Sequence, residues 1–325
     1  MAIPTLADAI EHWERSLRAA GRSGKTITTY LDAANRLAAA VGGDRPIDQV
    51  SRADHEGILL GLERLGWKPA SRSVIYRSLR SFWVFALGHP ELPVDRNPMH
   101  GMAAPTIPET TIEFVSDEEL RRLLATCNPA GPTLSRGPLR FRDSRDDAII
   151  RLLAGTGARL SEIANLRLGD LEIWADRPVV SVTGKGRRRR DLPLDAATAA
   201  VLHRYVEAER PHHRAADRSD RLWLGGGGPM TPGGIGQMLA DRGRRAGIKR
   251  RVHPHELRHR FIAVALAAGL AEGDVMALSG HRSRSMLDRY GRYTRAQRAH
   301  VAFRRASASG AIPQFEGLAR DREMQ

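Results

Sequence analysis

The stretch His253-Pro254-His255-Glu256-Leu257-Arg258-His259 is the most distinctive in the sequence, and two chemistries compete for it. In the first, His255-Glu256-Leu257-Arg258-His259 satisfies the H-E-x-x-H pattern. Its two imidazoles stand one helical turn apart to hold zinc, with Glu256 as base. That reading needs a third ligand, for which Glu272 and His281 are the candidates, and it puts Arg258 beside a dication. In the second, His255 and Arg258 are three residues apart and share a helix face. An imidazole that passes a proton then stands beside a guanidinium that grips two phosphate oxygens. Attack on a phosphodiester needs this combination of proton transfer and charge stabilisation.

The surrounding motifs favour the phosphodiester reading. Gly155-Thr156-Gly157-Ala158-Arg159-Leu160-Ser161-Glu162 places an arginine at a helix start just after a glycine turn, a place where phosphates are often met. Lys185 sits in Gly184-Lys185-Gly186, near the tip of a hairpin. It is one of only four lysines in a chain with 47 arginines, and an ammonium can give up a proton where a guanidinium cannot. Leu278-Ser279-Gly280-His281 then leads to Tyr290, nine residues beyond His281.

This ordered set resembles the tyrosine recombinase (phage integrase) family. The family pattern is an arginine in Gly-x-R-x-x-E, a lysine in a β-hairpin turn, H-x-x-R on a helix, a Gly-His pair, and a tyrosine about nine residues further on. The resemblance covers nearly the whole chain. It implies that Tyr290 attacks the scissile phosphorus to form a 3′-phosphotyrosyl link. His255 accepts the tyrosine proton, directly or through water. Arg159 and Arg258 hold the non-bridging oxygens, His281 donates a further hydrogen bond, and Lys185 protonates the departing 5′-oxygen. The covalent link conserves the bond's energy, so no metal or nucleotide cofactor is expected.

Tyr293 is the rival nucleophile, and the family spacing selects Tyr290. Arg289-Tyr290-Gly291-Arg292-Tyr293 departs from the commoner pattern, with threonine or isoleucine before the tyrosine and threonine-histidine after it, which bears on the subfamily. His259 is read as helix support and left outside the site. Glu162 is read as an orienting or capping residue, with a plain Arg159–Glu162 surface pair as the alternative. Arg187 to Arg190 are read as phosphate contacts or solvated charges.

The expected fold is mainly α with a small β-sheet. A helical, SAM-like core-binding domain (1–100) leads through a linker (101–112) to a mixed α/β catalytic domain with an exchange tail (113–325). Cap signals at Thr5-Leu6-Ala7-Asp8 and Ser51-Arg52-Ala53-Asp54, together with apolar residues at helical spacing, predict four short helices in the first part. In the second, helices are expected near 117–124, 145–153 and 160–166. Val179-Val180-Ser181-Val182 and Leu192-Pro193-Leu194 predict a hairpin. Gly225-Gly226-Gly227-Gly228-Pro229 reads as a flexible connection. Tyr30, Tyr76 and Tyr205 read as packing residues, and Val301, Phe303, Ile312 and Phe315 as contacts of the tail.

Charge supports a polyanion partner. The formal net is +14, of which residues 1–110 (13 basic, 12 acidic) carry +1 and residues 111–325 (38 basic, 25 acidic) carry +13. Double-stranded DNA is the expected partner, although a solvated basic surface would look the same by charge alone. The resemblance adds a tetramer on two DNA segments and accessory DNA-bending proteins as further partners. No window approaches the roughly 18 apolar residues of a membrane span, and no signal peptide is read. The single cysteine, Cys127, excludes internal disulfides and multi-cysteine zinc sites. The expected location is cytoplasmic, at the nucleoid. A type IB topoisomerase-like enzyme, an inactive DNA-binding relative and a zinc metallopeptidase are the competing function classes.

Overall fold

The computed structural model describes residues 3–108, 113–127, 138–184 and 188–281, and then 283, 287, 290, 303, 304, 306 and 307. The chain divides into two compact units, Met1–Thr110 and Thr111–Gln325.

The first unit is built on α1 (Leu6–Ala19), α2 (Gly24–Val41), α3 (Arg52–Arg64) and α4 (Pro69–Leu87). Both expected capping boxes form, Thr5 with Asp8 and Ser51 with Asp54, and they satisfy amide groups that a helix start otherwise leaves without partners. The apolar faces meet in one core that includes Trp13, Leu37, Leu79, Phe82 and Trp83. The segment after α4 stays with this core. Met99 is buried in it, and Tyr76 Oη donates to the Met102 carbonyl at 2.6 Å.

In the second unit, α5 (Asp117–Ala125) is capped by Ser116 and Glu119. The central helix is α6 (Pro138–Thr156), with Ile149, Ile150, Leu152 and Leu153 fully buried. The short α7 (Leu160–Ala164) follows the Gly157 turn. A three-stranded antiparallel sheet comes next, β1 (Leu171–Glu172), β2 (Val179–Thr183) and β3 (Arg189–Pro193), in that order. Then come α8 (Ala196–Arg204), the small hairpin β4 (Leu224–Gly225) and β5 (Gly228–Pro229), α9 (Pro232–Arg245), α10 (Pro254–Ala267) and α11 (Glu272–Ser279). The architecture is mainly helical with small antiparallel sheets.

Two elements differ from the sequence reading. Helix α6 starts several residues before the expected 145, and Arg145, Asp146 and Asp147 within it are buried rather than solvent-facing. Arg145 Nε and Nη2 donate to Asp146 Oδ1 at 2.9 and 2.6 Å, and Arg242 Nε donates to Asp146 Oδ2 at 2.9 Å. Charged residues therefore belong to the core here, since burial requires that each be paired. The glycine run is a tight hairpin rather than a loose connection. Gly228 has φ +118°, which favours glycine, and Leu224 pairs with Pro229. Among the described residues, no helix is long and apolar enough to cross a membrane.

Candidate active site

Helix α10 carries the centre of the site. Pro254 occupies its first turn, and Glu256 Oε1 accepts from the His253 amide at 2.9 Å while Glu256 Oε2 accepts from Arg250 Nε at 3.0 Å. The base of the H-E-x-x-H reading is thus engaged in capping the helix and pairing Arg250. Among the described residues, the His/Glu group whose ligand atoms converge is His12, His89 and Glu91 in the first unit, not the histidines of α10.

Two residues further along α10, Arg258 is buried at 4% exposure. Its Nη1 donates to the carbonyls of Gly157 and Ser279, the latter at 2.7 Å. Its Nη2 stands 2.9 Å from His281 Nε2. Arg258 thereby ties together the glycine turn before α7, helix α10 and the end of α11. Burial first, then Arg159, pulls its pKa down to about 10, so it remains a cation at neutral pH.

The Gly157 turn cannot accept a side chain. Its φ is +62°, and a Cβ there would lie 2.2 Å from Phe261 Cδ1. The turn delivers Arg159 to the start of α7. Arg159 Nη1 donates to Glu162 Oε1 at 3.0 Å, and Nη2 donates to the Gly280 carbonyl at 2.6 Å. The Arg159–Glu162 pair is no ordinary surface pair, because the Glu162 side chain is 2% exposed. Glu162 also accepts from the Arg159 amide at 2.8 Å and from both terminal nitrogens of Arg190. Burial raises the Glu162 pKa, but hydrogen bonds from Arg190 and Arg159 outweigh it and hold the carboxyl below its ordinary value. Arg190 Nε completes the frame by donating to the Leu278 carbonyl at 2.9 Å. Two guanidiniums, those of Arg159 and Arg190, therefore grip one carboxylate, and a third, that of Arg258, stands near enough to interact electrostatically with all three groups. That excess of buried positive charge suits a phosphate and the further negative charge of its transition state.

His281 is fixed from both sides. Its Nδ1 lies 2.8 Å from Ser279 Oγ, which donates to the Val275 carbonyl at 2.6 Å. The ring therefore stands between the Ser279 hydroxyl and the Arg258 guanidinium, whose Nη2 faces its Nε2. Burial, then Arg258 and Arg159, hold its pKa down at about 4. His255 is exposed, yet partial desolvation of its ring, then Arg258 and Arg159, lower its pKa from the ordinary value.

Tyr290 is buried at 4% exposure, in a cluster with Ile262, Leu266, Val275 and Leu287. Its hydroxyl is hydrogen-bonded to Nδ1 of His259, and the two rings are 5.6 Å apart. Sequence reasoning left His259 out. The available signal was its position four residues after His255, which puts both imidazoles on one face of α10, with ring centroids 6.3 Å apart. It also missed Arg190, whose guanidinium is bound to Glu162 instead of being free for a phosphate.

The hairpin β2–β3 forms in the expected place, closed by the Gly184 amide donating to the Arg188 carbonyl at 2.8 Å. It reaches the site, since a Cβ on Gly184 would lie 3.1 Å from Glu162 Oε1. Lys185 lies outside the described residues, as do Tyr293 and the tail residues Val301, Ile312 and Phe315. Phe303 is exposed at 59%.

Comparison with known proteins matches this arrangement. A sequence model of the phage integrase family matches residues 113–298. The tyrosine recombinase XerC of Staphylococcus carnosus (strain TM300) is 31% identical over 238 residues, covering 73% of this chain and 75% of the relative. The tyrosine recombinase XerD of Listeria innocua serovar 6a is 26% identical over 291 residues, 89% of each chain. Among solved structures, the XerH site-specific recombinase bound to palindromic difH substrate superposes with a TM-score of 0.69 at 16% identity, covering 94% of this chain and 84% of that one. A lambda integrase tetramer bound to a Holliday junction gives 0.66 at 16% identity, covering 86% and 78%. The structural likenesses establish the fold, and the family match, the sequence relatives and the ordered motifs together establish that the chain belongs to the phage integrase family and is a tyrosine recombinase.

Proposed function

We propose that Tyr290 is the nucleophile with which this site-specific DNA recombinase cuts and rejoins double-stranded DNA, through a 3′-phosphotyrosyl intermediate. The observation that carries the assignment is the joining of Tyr290 to α10, one residue beyond Arg258, through its hydrogen bond to His259. Helix α10 also holds the arginine bonded to His281, so one rigid element spans the nucleophile and the phosphate-binding groups.

Arg159 and Arg258 hold the non-bridging oxygens as the phosphorus becomes five-coordinate. His281 adds a hydrogen bond to the phosphate, and His255 serves as an acid/base group beside it. Lys185 protonates the 5′-oxygen as it leaves. A strand of partner DNA then attacks the phosphotyrosine and the steps reverse. No step draws on a metal or nucleotide, because the energy of the broken bond is kept in the new one.

The first unit is the core-binding, DNA-clamping domain, with residues 101–112 as the linker to the catalytic domain. Four protomers act on two DNA segments, as in the tetramer described for lambda integrase. The segment from about 296 to 317 is exchanged between neighbours. The working location is the nucleoid in the cytoplasm, with accessory DNA-bending proteins assisting. The test is to incubate the protein with fragmented duplex DNA in chelator, denature it in detergent and sequence the DNA that stays attached. A recurrent sequence at the attached end is expected. Absence of any attached DNA would overturn the assignment.

A further inference from the structure

The histidine in contact with the attacking oxygen is His259, not the His255 of the H-x-x-R motif. We propose that His259 is the group that takes the Tyr290 proton during cleavage and returns it during rejoining, which leaves His255 to the phosphate and the leaving-group side. The inference rests on Tyr290 being the nucleophile.

Three observations carry it. The first is contact, since proton transfer requires hydrogen-bond reach between the nucleophile and its base, and Nδ1 of His259 has it. The second is access. Tyr290 is 4% exposed, so solvent is a poor acceptor for its proton, and the proton passes to the group already touching it. The third is rigidity. His259 directly follows Arg258, whose Nη1 is held by the carbonyls of Gly157 and Ser279. The base therefore cannot drift from the phosphate without breaking that frame. An imidazole has the right chemistry, because its ordinary pKa of about 6.5 lets it accept a proton near neutrality, whereas free tyrosine holds its own up to about 10.

The step balances without another reactant. As the Oη–phosphorus bond forms and the phosphorus–O5′ bond breaks, the phenolic proton moves to Nδ1, with Nε2 already bearing its own. The departing O5′ takes its proton from the general acid. On rejoining, the incoming 5′-hydroxyl attacks phosphorus and returns its proton to the group that served as general acid, the phosphorus–Oη bond breaks, and the phenolate recovers its proton from His259. The imidazolium formed in between stands beside Arg258, His255 and His281, and the bound phosphate offsets that charge.

The experiment compares single-turnover cleavage by wild type, His259→Asn, His259→Ala and Tyr290→Phe on one nicked duplex bearing a recognised site. An asparagine can accept a hydrogen bond but cannot carry the proton. His259→Asn is expected to cleave about 10²–10⁴ times more slowly, with a rate that rises tenfold per pH unit as hydroxide replaces the base. Added imidazole is expected to accelerate His259→Ala. Unchanged DNA affinity reads correct folding, and His259→Gln replaces His259→Asn where the shorter chain disturbs packing. Cleavage by His259→Asn within a few-fold of wild type would overturn the proposal. So would a slow His259→Ala with a wild-type pH profile and no response to imidazole, which would mark a positioning role. An adduct that survives Tyr290→Phe would instead remove the nucleophile assignment on which the proposal rests.

Discussion

Both terminal nitrogens of Arg190 donate to the carboxylate of Glu162, at 2.9 and 2.7 Å, across 28 residues of sequence. The contact joins β3 to the start of α7 and sets the third guanidinium behind Arg159. Glu162 thus holds two cations in place that would otherwise repel each other.

Glu162→Gln keeps the shape of the side chain and removes its charge. Arg159 and Arg190 should then move apart, and a displacement of about 1 Å at a reacting centre can cost on the order of 10²-fold in rate. Cleavage is expected to fall by about that much, with DNA affinity held or slightly raised by the added net positive charge. Single-turnover cleavage and a binding titration check it. A cleavage rate within a few-fold of wild type would show that the pair does not position Arg159.

His281 should be neutral in the free enzyme. Its folded pKa of about 4 lies below the ordinary value of 6.5, owing to burial and then Arg258 and Arg159. The unfolded chain therefore takes up a proton that the folded chain refuses. The contribution of His281 to stability is present above about pH 6.5 and is lost as the pH falls towards about 4. Ring-proton NMR should show the low titration. Binding of orthovanadate, an anion that mimics the five-coordinate phosphorus, should raise it by offsetting the arginines. A titration near 6.5 in the free enzyme would contradict this account of the site's field.

Arg242 stabilises the second unit. It donates to Asp146 Oδ2 at 2.9 and 2.7 Å, to Asp143 Oδ1 at 2.7 Å and to the Thr126 carbonyl at 2.6 Å, all with its side chain 4% exposed. Arg242→Met leaves buried carboxylates short of a partner, which typically costs about 3–5 kcal/mol. The lower end is expected because Arg145 still holds Asp146. The midpoint of the second unit's urea transition measures it, and a loss near zero would contradict the packing described.

Lys185→Ala should slow cleavage of ordinary DNA far more than cleavage of DNA whose 5′ leaving atom is sulfur, because a thiolate departs without a proton. Equal slowing on both substrates would remove Lys185 as the general acid.

Much of this arrangement was legible in the sequence where a local signal and a global role coincide. The capped helices of the first unit announce themselves through Thr5 and Ser51. Gly157 marks the turn that presents Arg159, and the β-branched run at Val179 marks the hairpin. Other features depend on partners distant in sequence. Arg190 looks like one charge in a basic run until Glu162 and the Leu278 carbonyl are brought to it. The polar start of α6 conceals a buried ion network, since charged residues read as surface until their partners are known. The two-residue strands at Leu171, Leu224 and Gly228 are too short to show a period. His259 shared a face with His255, but nothing local indicated that Tyr290, 31 residues on, would pack against it.

The central claim is that the Tyr290 oxygen joins the DNA. Tyr290→Phe keeps the ring and its place in the apolar cluster and removes only that oxygen. On a nicked duplex carrying a recognised site, wild type should leave the cut strand attached to protein after detergent denaturation. Tyr290→Phe should bind the same duplex with similar affinity and leave none attached, while Tyr293→Phe should retain the adduct. An adduct that persists in Tyr290→Phe and vanishes in Tyr293→Phe would place the nucleophile three residues on, and one that persists in both would contradict the account.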